Sequence, residues 1–384
     1  MLTLHQLLAT LREYRSLDDL DCLTLPPDAY VSPDLHQLEL ERIFRKEWLC
    51  VGREEQVQGP GEYFTTDVLS EPMVIVRGED GALRALSTIC RHRFMPVVSG
   101  RGRAERFICP YHAWTYDTTG AVTAAPYMQG SKRFDRARCR LPSYRLETWR
   151  GFIFINLDED AAPLAPRMRS LESAIANYGI ESQRQVLPYE AEWRGNWKLS
   201  AENSMEYYHH IGLHRESVGV QLPGTETYVC PPPTDLSFTH ERSRLGSQYR
   251  PGFAGVPGHA MNPAGKLDRF TTEDLETGYM VYLFPAFTMA MRPNGNNWLS
   301  FRPLGPERTF VLGGYMVSPE LLQQTPDIVE SRRELIAKVN EEDSLATTEL
   351  AKVMRSTRAG RGPLSPFEGT IAQFYRYLAR ALAS

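Results

Sequence analysis

Residues 90–112 read CRHRFMPVVSGRGRAERFICPYH, and in them two cysteines are each followed closely by a histidine. One residue separates Cys90 from His92, two separate Cys109 from His112, and sixteen lie between the pairs, giving C-x-H-x16-C-x2-H. Two thiolates and two imidazoles can hold a tetrahedral zinc, although structural zinc sites favour cysteine pairs with two to four intervening residues. The same set fits a [2Fe-2S] centre in which two cysteines bind one iron and two histidines the other. Imidazole in place of thiolate raises the potential of such a centre, making it an acceptor from a low-potential donor. Arg91 and Arg93, and Pro110 and Tyr111, would then sit at the tips of two loops between strands.

Around these loops the chain has the texture of short strands. Residues 72–76 and 83–89 flank the turn signal at 78–81, Phe107 and Ile108 open another run, 114–116 lead into a turn at 117–120, and 151–156 form a buried apolar run. A small all-β domain is expected over 40–160. Before it come a short helix, the proline-bearing approach at Leu25, Pro26 and Pro27, and an amphipathic segment with Leu35, Leu38, Leu40 and Ile43 at near-helical spacing. Beyond the acidic link at 158–166 the pattern is mixed. Helices are expected over 168–178, 199–210, 327–354 and 367–382, strands over 279–291 and 298–317, and a Pro- and Gly-rich loop over 218–265. The predicted fold class is α+β, with a larger domain built from 1–39 and 161–384 whose helices are segregated from an antiparallel sheet.

The 384 residues carry a formal net charge of -4 with both signs interspersed, so there is no basic patch for nucleic acid and no polybasic membrane arm. The charged first twenty residues lack the apolar core of a signal peptide, and no run of eighteen apolar residues occurs. A cytoplasmic location is expected. Six cysteines in a chain of this length are thiols or metal ligands rather than a disulfide framework.

A second constellation lies in residues 196–214, NWKLSAENSMEYYHHIGLH, where Glu202, Asn203, Glu206, His209, His210 and His214 are interleaved with apolar residues. Two histidines and a carboxylate with open positions suit a non-haem Fe(II) that activates O2; the alternative is a helix with polar residues on its outer face. Spacing prefers His210 with His214, because residues four apart share a helical face. A distant carboxylate must complete the set, and Asp327, Glu330, Glu341, Glu342, Asp343 and Glu349 are available. Helical periodicity places Asp343 on the face of Ile336, Val339, Ala346 and Leu350. An acid on an apolar stripe is costly to bury unless it is paired or binds a metal.

The segments CRHRFMPVVSGRG (90–102) and FICPYHAWTYDTTG (107–120), with IFRKEW, GNWK and the C-terminal helices, resemble the α-subunits of Rieske non-haem iron oxygenases. Phe94 and Ala113 stand where the family pattern has glycine. The resemblance implies a small Rieske domain and a larger catalytic domain of helix-grip type. It implies a [2Fe-2S] Rieske cluster on Cys90, His92, Cys109 and His112, and a mononuclear Fe(II) on His209, His214 and Asp343. On this reading the helix ends near Gly212 so that His214 returns from a loop, and His210 stands behind the ligands. Asn203 precedes Glu206, the acid that bridges the iron site to the cluster of a neighbouring subunit in a homotrimer. Glutamate at the bridge, within Asn-x2-Glu-x-Tyr-His, resembles the carnitine and quaternary-ammonium monooxygenase branch, whereas most ring dihydroxylases have aspartate.

The implied reaction takes O2, two electrons and a small-molecule substrate. No G-x-G-x-x-G follows a strand, so electrons must come from a separate NAD(P)H-dependent reductase, with or without a ferredoxin. Met205, Tyr207, Tyr208, Tyr282, Phe284, Phe287, Met289, Met291, Trp298 and Phe301 are available to line a pocket, as a cage for a quaternary ammonium or as packing for an aromatic ring. Glu206 favours monooxygenation, by hydroxylation or oxidative dealkylation; aromatic-ring cis-dihydroxylation is the alternative, and a zinc-stabilised binding protein the distant one.

Overall fold

The computed structural model describes residues 2–249, 268–293 and 295–383, so the part of the expected loop from 250 onward lies outside the described residues. The chain divides into two units, Arg45–Leu164 and Met1–Phe44 with Ala165–Ser384. No helix among the described residues is long and apolar enough to cross a membrane.

The first unit is built from ten short strands: β1 (Leu49–Arg53), β2 (Glu62–Val68), β3 (Glu71–Arg77), β4 (Leu83–Ser87), β5 (Arg101–Arg103), β6 (Arg106–Ile108), β7 (Thr115–Asp117), β8 (Val122–Ala124), β9 (Ser143–Trp149) and β10 (Phe152–Asn156). Seven pair in the order β1-β10-β9-β4-β3-β2-β5, and β6-β7-β8 form a separate ribbon. The β3–β4 turn closes at Gly81, which takes φ 79° and donates its N–H to the Gly78 carbonyl at 2.9 Å; glycine accepts that backbone at no steric cost. Val74 and Val76 of β3, Leu86 of β4, Phe107, Trp114 and Tyr116 pack into one core that includes Cys90 and Cys109.

In the second unit β11 (Arg184–Arg194), β12 (Thr227–Val229), β13 (Phe238–Arg244), β14 (Thr277–Leu283), β15 (Phe287–Arg292), β16 (Gly295–Gly305) and β17 (Arg308–Val317) form an antiparallel sheet in the order β11-β17-β16-β15-β14-β13-β12. The 26-residue helix Ile328–Val353 packs on β11 and on the short helix Trp197–Asn203. Lys198 of that short helix is buried and places Nζ 2.5 Å from Glu39 Oε1, while Trp197 Nε1 donates to Glu39 Oε2 at 2.7 Å.

The helix expected over 199–210 is shorter than its pattern. Asn196 caps its start by accepting the Lys198 N–H at 3.1 Å, but regular structure stops at Asn203, and only a single 3-10 turn follows at Tyr208–Ile211. Glu206 is the physical reason, because its Oε2 takes the His209 backbone N–H at 2.9 Å. A side chain that captures a backbone donor competes with the helix for it.

Candidate metal centres

The two cysteine loops of the small unit close in the same way. After β4, Phe94 N–H donates to the Cys90 carbonyl at 3.0 Å; after β6, Ala113 N–H donates to the Cys109 carbonyl at 3.0 Å. In each loop the fourth residue after the cysteine is left-handed, Phe94 at φ 59° and Ala113 at φ 56°. Those are the positions where the family pattern has glycine, and the backbone shows why. Both thiols are buried and free. Tyr116 Oη lies 3.3 Å from Cys90 Sγ and accepts the Arg91 N–H at 3.0 Å.

His92 stacks on Trp114 at 5.1 Å and 4°, with the His112 ring 4.6 Å away. Burial, with smaller help from His112 and Arg93, lowers the pKa of His92 and favours the neutral ring. Its Nδ1 is buried with no hydrogen-bond partner among the described residues. Such an atom needs an explanation, and a metal ligand is one. Among the described residues the group close enough to hold one ion is His209, His210 and His214. Two thiols and two imidazoles on the paired loops are the donor set of a [2Fe-2S] centre with histidines on one iron.

In the larger unit the three histidines bring their ligating atoms within 4.8 Å of one another. Each has Nδ1 against an acceptor: His209 against Glu206 Oε1 at 2.7 Å, His210 against the Leu222 carbonyl at 2.8 Å, and His214 against Glu342 Oε2 at 2.6 Å. Such partners fix the Nδ1–H tautomer and leave Nε2 to face a metal. Asp343 Oδ1 lies 2.9 Å from His214 Nε2 and 3.8 Å from His209 Nε2. Asp343 is 8% exposed although it stands on a surface helix. Asn203 ends the short helix and lines the same cavity as Glu206.

Burial lowers His209's pKa, but Glu206 and Asp343 outweigh it and the net shift is upward. His210 is held well below its ordinary value by burial, then by His209 and His214. Glu342 is a site residue that its own helix does not betray. Burial raises its pKa, yet the hydrogen bonds from Ser217 and His214 prevail and lower it. Ser217 donates to Glu342 Oε2 at 2.6 Å.

A cavity of about 190 Å³ opens beside the three histidines and Asp343. Of the ten side chains proposed to line it, Tyr207 and Trp298 do so; Met205, Tyr208, Tyr282, Phe284, Phe287, Met289, Met291 and Phe301 do not. Strand alternation explains most of the difference. Thr288, Ala290 and Arg292 of β15 face the cavity, which turns Phe287, Met289 and Met291 to the opposite face. Tyr282, Phe284 and Phe301 belong to the buried core, Phe284 stacking on Tyr377 at 4.8 Å.

Comparison with known proteins decides the family. Residues 47–145 match the Rieske [2Fe-2S] domain, and residues 180–384, more than half the chain, match the ring hydroxylating alpha subunit catalytic domain. The carnitine monooxygenase oxygenase subunit of Acinetobacter baumannii is 30% identical over 316 residues, covering 80% of this chain and 79% of that protein. The chain belongs to the Rieske oxygenase α-subunits. The benzene 1,2-dioxygenase alpha subunit of Pseudomonas putida is 32% identical over 250 residues, 63% of this chain and 54% of that protein.

The fold is that of a quaternary ammonium Rieske monooxygenase of known structure, with a TM-score of 0.81, 24% identity, and coverage of 95% of this chain and 97% of that one. Naphthalene 1,2-dioxygenase from Rhodococcus sp. superposes with a TM-score of 0.80 at 20% identity, covering 100% and 99%. As a Rieske oxygenase the protein is an oxidoreductase, the terminal oxygenase of a system in which a reductase supplies electrons. Its cofactors are a Rieske [2Fe-2S] cluster and a mononuclear iron, and the His92 Nδ1 left without a partner among the described residues and the three convergent imidazoles fit them.

Proposed function

We propose that this α-subunit is a monooxygenase that hydroxylates or oxidatively dealkylates a small organic substrate. Cys90, His92, Cys109 and His112 hold the cluster within the 40–160 domain, and His209, His214 and Asp343 hold the iron in the domain formed by 1–39 and 161–384. The observation that carries the iron assignment is the approach of both His209 Nε2 and His214 Nε2 to Asp343 Oδ1. When bound, the cluster supplies single electrons and a ferrous ion on two histidines and one carboxylate offers open positions for O2 beside substrate.

The residues around that chemistry have separable tasks. Glu206 orients His209 and, in a homotrimer, is the acid that meets the cluster histidine His112 of a neighbouring subunit. Glu342 and Ser217 orient His214. Asn203 lines the cavity beside Glu206, and Tyr207, Thr288 and Trp298 bound the space where substrate sits and water is excluded. Monooxygenation is supported by Glu206 and by the similarity to the carnitine monooxygenase subunit and to the glycine betaine monooxygenase subunit of Pseudomonas aeruginosa, 32% identical over 194 residues.

The test is a substrate screen on anaerobically purified protein with a surrogate reductase, comparing quaternary amines with mono- and bicyclic aromatics under ¹⁸O₂. One labelled oxygen in the product is expected, whereas a cis-diol with two establishes the dioxygenase alternative. Brown protein that bleaches with dithionite is required by either reading, and a colourless, zinc-loaded preparation rules out both.

A further inference from the structure

Buried polar groups in folded proteins have partners, so one without them marks a place that something else completes. In the cavity beside His209 and His214 two lining residues carry such atoms, Tyr207 through Oη and Arg292 through its guanidinium, and Arg292 is the charged one. It is the last residue of β15 and shares the cavity face with Thr288 and Ala290. Its backbone N–H donates to Asn296 Oδ1 at 3.0 Å, but side-chain Nε and Nη2 are buried with no hydrogen-bond partner among the described residues.

The largest charge effects on this guanidinium come from Tyr207, Arg332, Tyr178 and Tyr315, and none of these is a carboxylic acid. Residues 250–267 and 294, outside the described set, contain no Asp or Glu. Burial lowers the Arg292 pKa to about 10, with Arg332 pushing in the same direction, so the group remains a cation at neutral pH. A desolvated cation with no acid paired to it among the described residues is costly to keep. The two orphaned nitrogens also form one edge of the guanidinium fork, the edge that a carboxylate meets with two parallel hydrogen bonds.

We propose that Arg292 docks a carboxylate of the substrate, so that this oxygenase takes small organic acids, zwitterionic or aromatic. The proposal rests on the oxygenase reading and names the substrate class for the same cavity. An unmasked quaternary cation finds little aromatic cage there, because only Tyr207 and Trp298 of the expected aromatic set line the cavity, and its acids Glu206 and Asp343 are engaged with His209 and His214. A quaternary amine fits when it also carries an acid.

The experiment uses holoenzyme loaded with cluster and iron, in anaerobic calorimetry with two matched pairs, glycine betaine against choline and benzoate against benzene. Each pair changes the carboxylate while keeping the trimethylammonium or the ring. Charge-assisted hydrogen bonds are worth about 10- to 100-fold in affinity. At least one carboxylate should bind the wild type better than its partner by about that factor. Arg292→Met should abolish the preference with cluster absorbance and iron content unchanged, and Arg292→Lys should keep part of it. Equal affinities within both pairs, no saturable binding of either carboxylate at millimolar concentration, or a preference that survives in Arg292→Met overturns the proposal. The wild-type comparison stands even where a variant fails to fold. Failure of the oxygenase reading itself would appear separately, as loss of the cluster spectrum and of O2-dependent turnover.

Discussion

Lys198 and Glu39 hold the helix that leads into the proposed iron site, and breaking their contact should loosen it measurably. The side chains are 1% and 0% exposed, Nζ lies 2.5 Å from Oε1, and Trp197 Nε1 donates to the other carboxylate oxygen at 2.7 Å. Lys198→Met leaves a buried carboxylate with one neutral donor, and Glu39→Gln leaves a buried ammonium facing an amide; each should cost about 3–5 kcal/mol. The rings of Trp197 and Tyr30, 5.5 Å and 5.7 Å from Nζ, soften the second loss only slightly. In the double variant both charges are gone and the amide oxygen still accepts from Trp197, so the total should fall to about 1–2 kcal/mol. The coupling energy is then several kcal/mol. Urea unfolding of the holoenzyme, followed by loss of the helical circular-dichroism signal, which comes from the larger unit, compares the wild type with the three variants. Single variants that lose less than about 1 kcal/mol, or a double variant equal to their sum, would refute the assignment of this pair as a mutually dependent buried contact.

Three further outcomes are expected. Burial raises Glu202 to a pKa of about 8, against hydrogen bonds from Tyr30 and the charge of Lys198 that pull it down. Its folded pKa therefore exceeds the unfolded 4.5, and its stabilising contribution is full below pH 4.5 and lost as pH rises through 8. Glu202→Gln should flatten that decline by a few kcal/mol in denaturant titrations at several pH values, and parallel curves would exclude it. Ala113→Gly should change stability by only about 1 kcal/mol, strain relief offsetting the glycine's entropy, whereas Ala113→Val should lose cluster absorbance at lower denaturant. Equal behaviour of the two variants would show that the left-handed backbone there carries no constraint. Iron analysis should find His209→Ala, His214→Ala and Asp343→Ala empty at the mononuclear site with the cluster spectrum intact, and His210→Ala still loaded. The reverse pattern for His209 and His210 would exchange their roles.

The parts of the molecule legible in sequence are those whose chemistry is local. The Cys–His pairs sit on short loops between strands that alternation and turn residues announce, and Phe94 and Ala113 stand out because the backbone at both positions is left-handed. Asp343 lies 129 residues from His214, yet an acid on an apolar stripe marks it. That stripe was an imperfect guide, since Leu350 is 45% exposed. Periodicity could not reveal Glu342, because it sees only the neighbours on one helix, and the groups that give Glu342 its task, Ser217 and His214, arrive from another segment. The helical reading of 199–210 failed for a related reason: Glu206 satisfies the His209 N–H from a side chain, a choice that propensity does not encode.

The same limit governs substrate recognition. Large apolar residues on β15 advertise themselves as candidate pocket walls, yet a strand between a core and a cavity gives its bulky set to the core. The cavity receives the alternate set, here Thr288, Ala290 and Arg292, which are small or polar and carry no motif. Specificity in this oxygenase should therefore respond more to changes at 288, 290 and 292 than to changes at 287, 289 and 291. Ala290→Leu fills the cavity by adding a branched chain to its wall and should exclude larger substrates while cluster and iron loading persist. Met289→Leu is a volume-conserving core exchange, expected to cost less than about 1.5 kcal/mol in stability. Competition among substrates, read as ratios of kcat/KM, separates the two faces. A selectivity change in Met289→Leu that matches the one in Ala290→Leu would mean the alternation does not divide core from cavity as the side chains indicate.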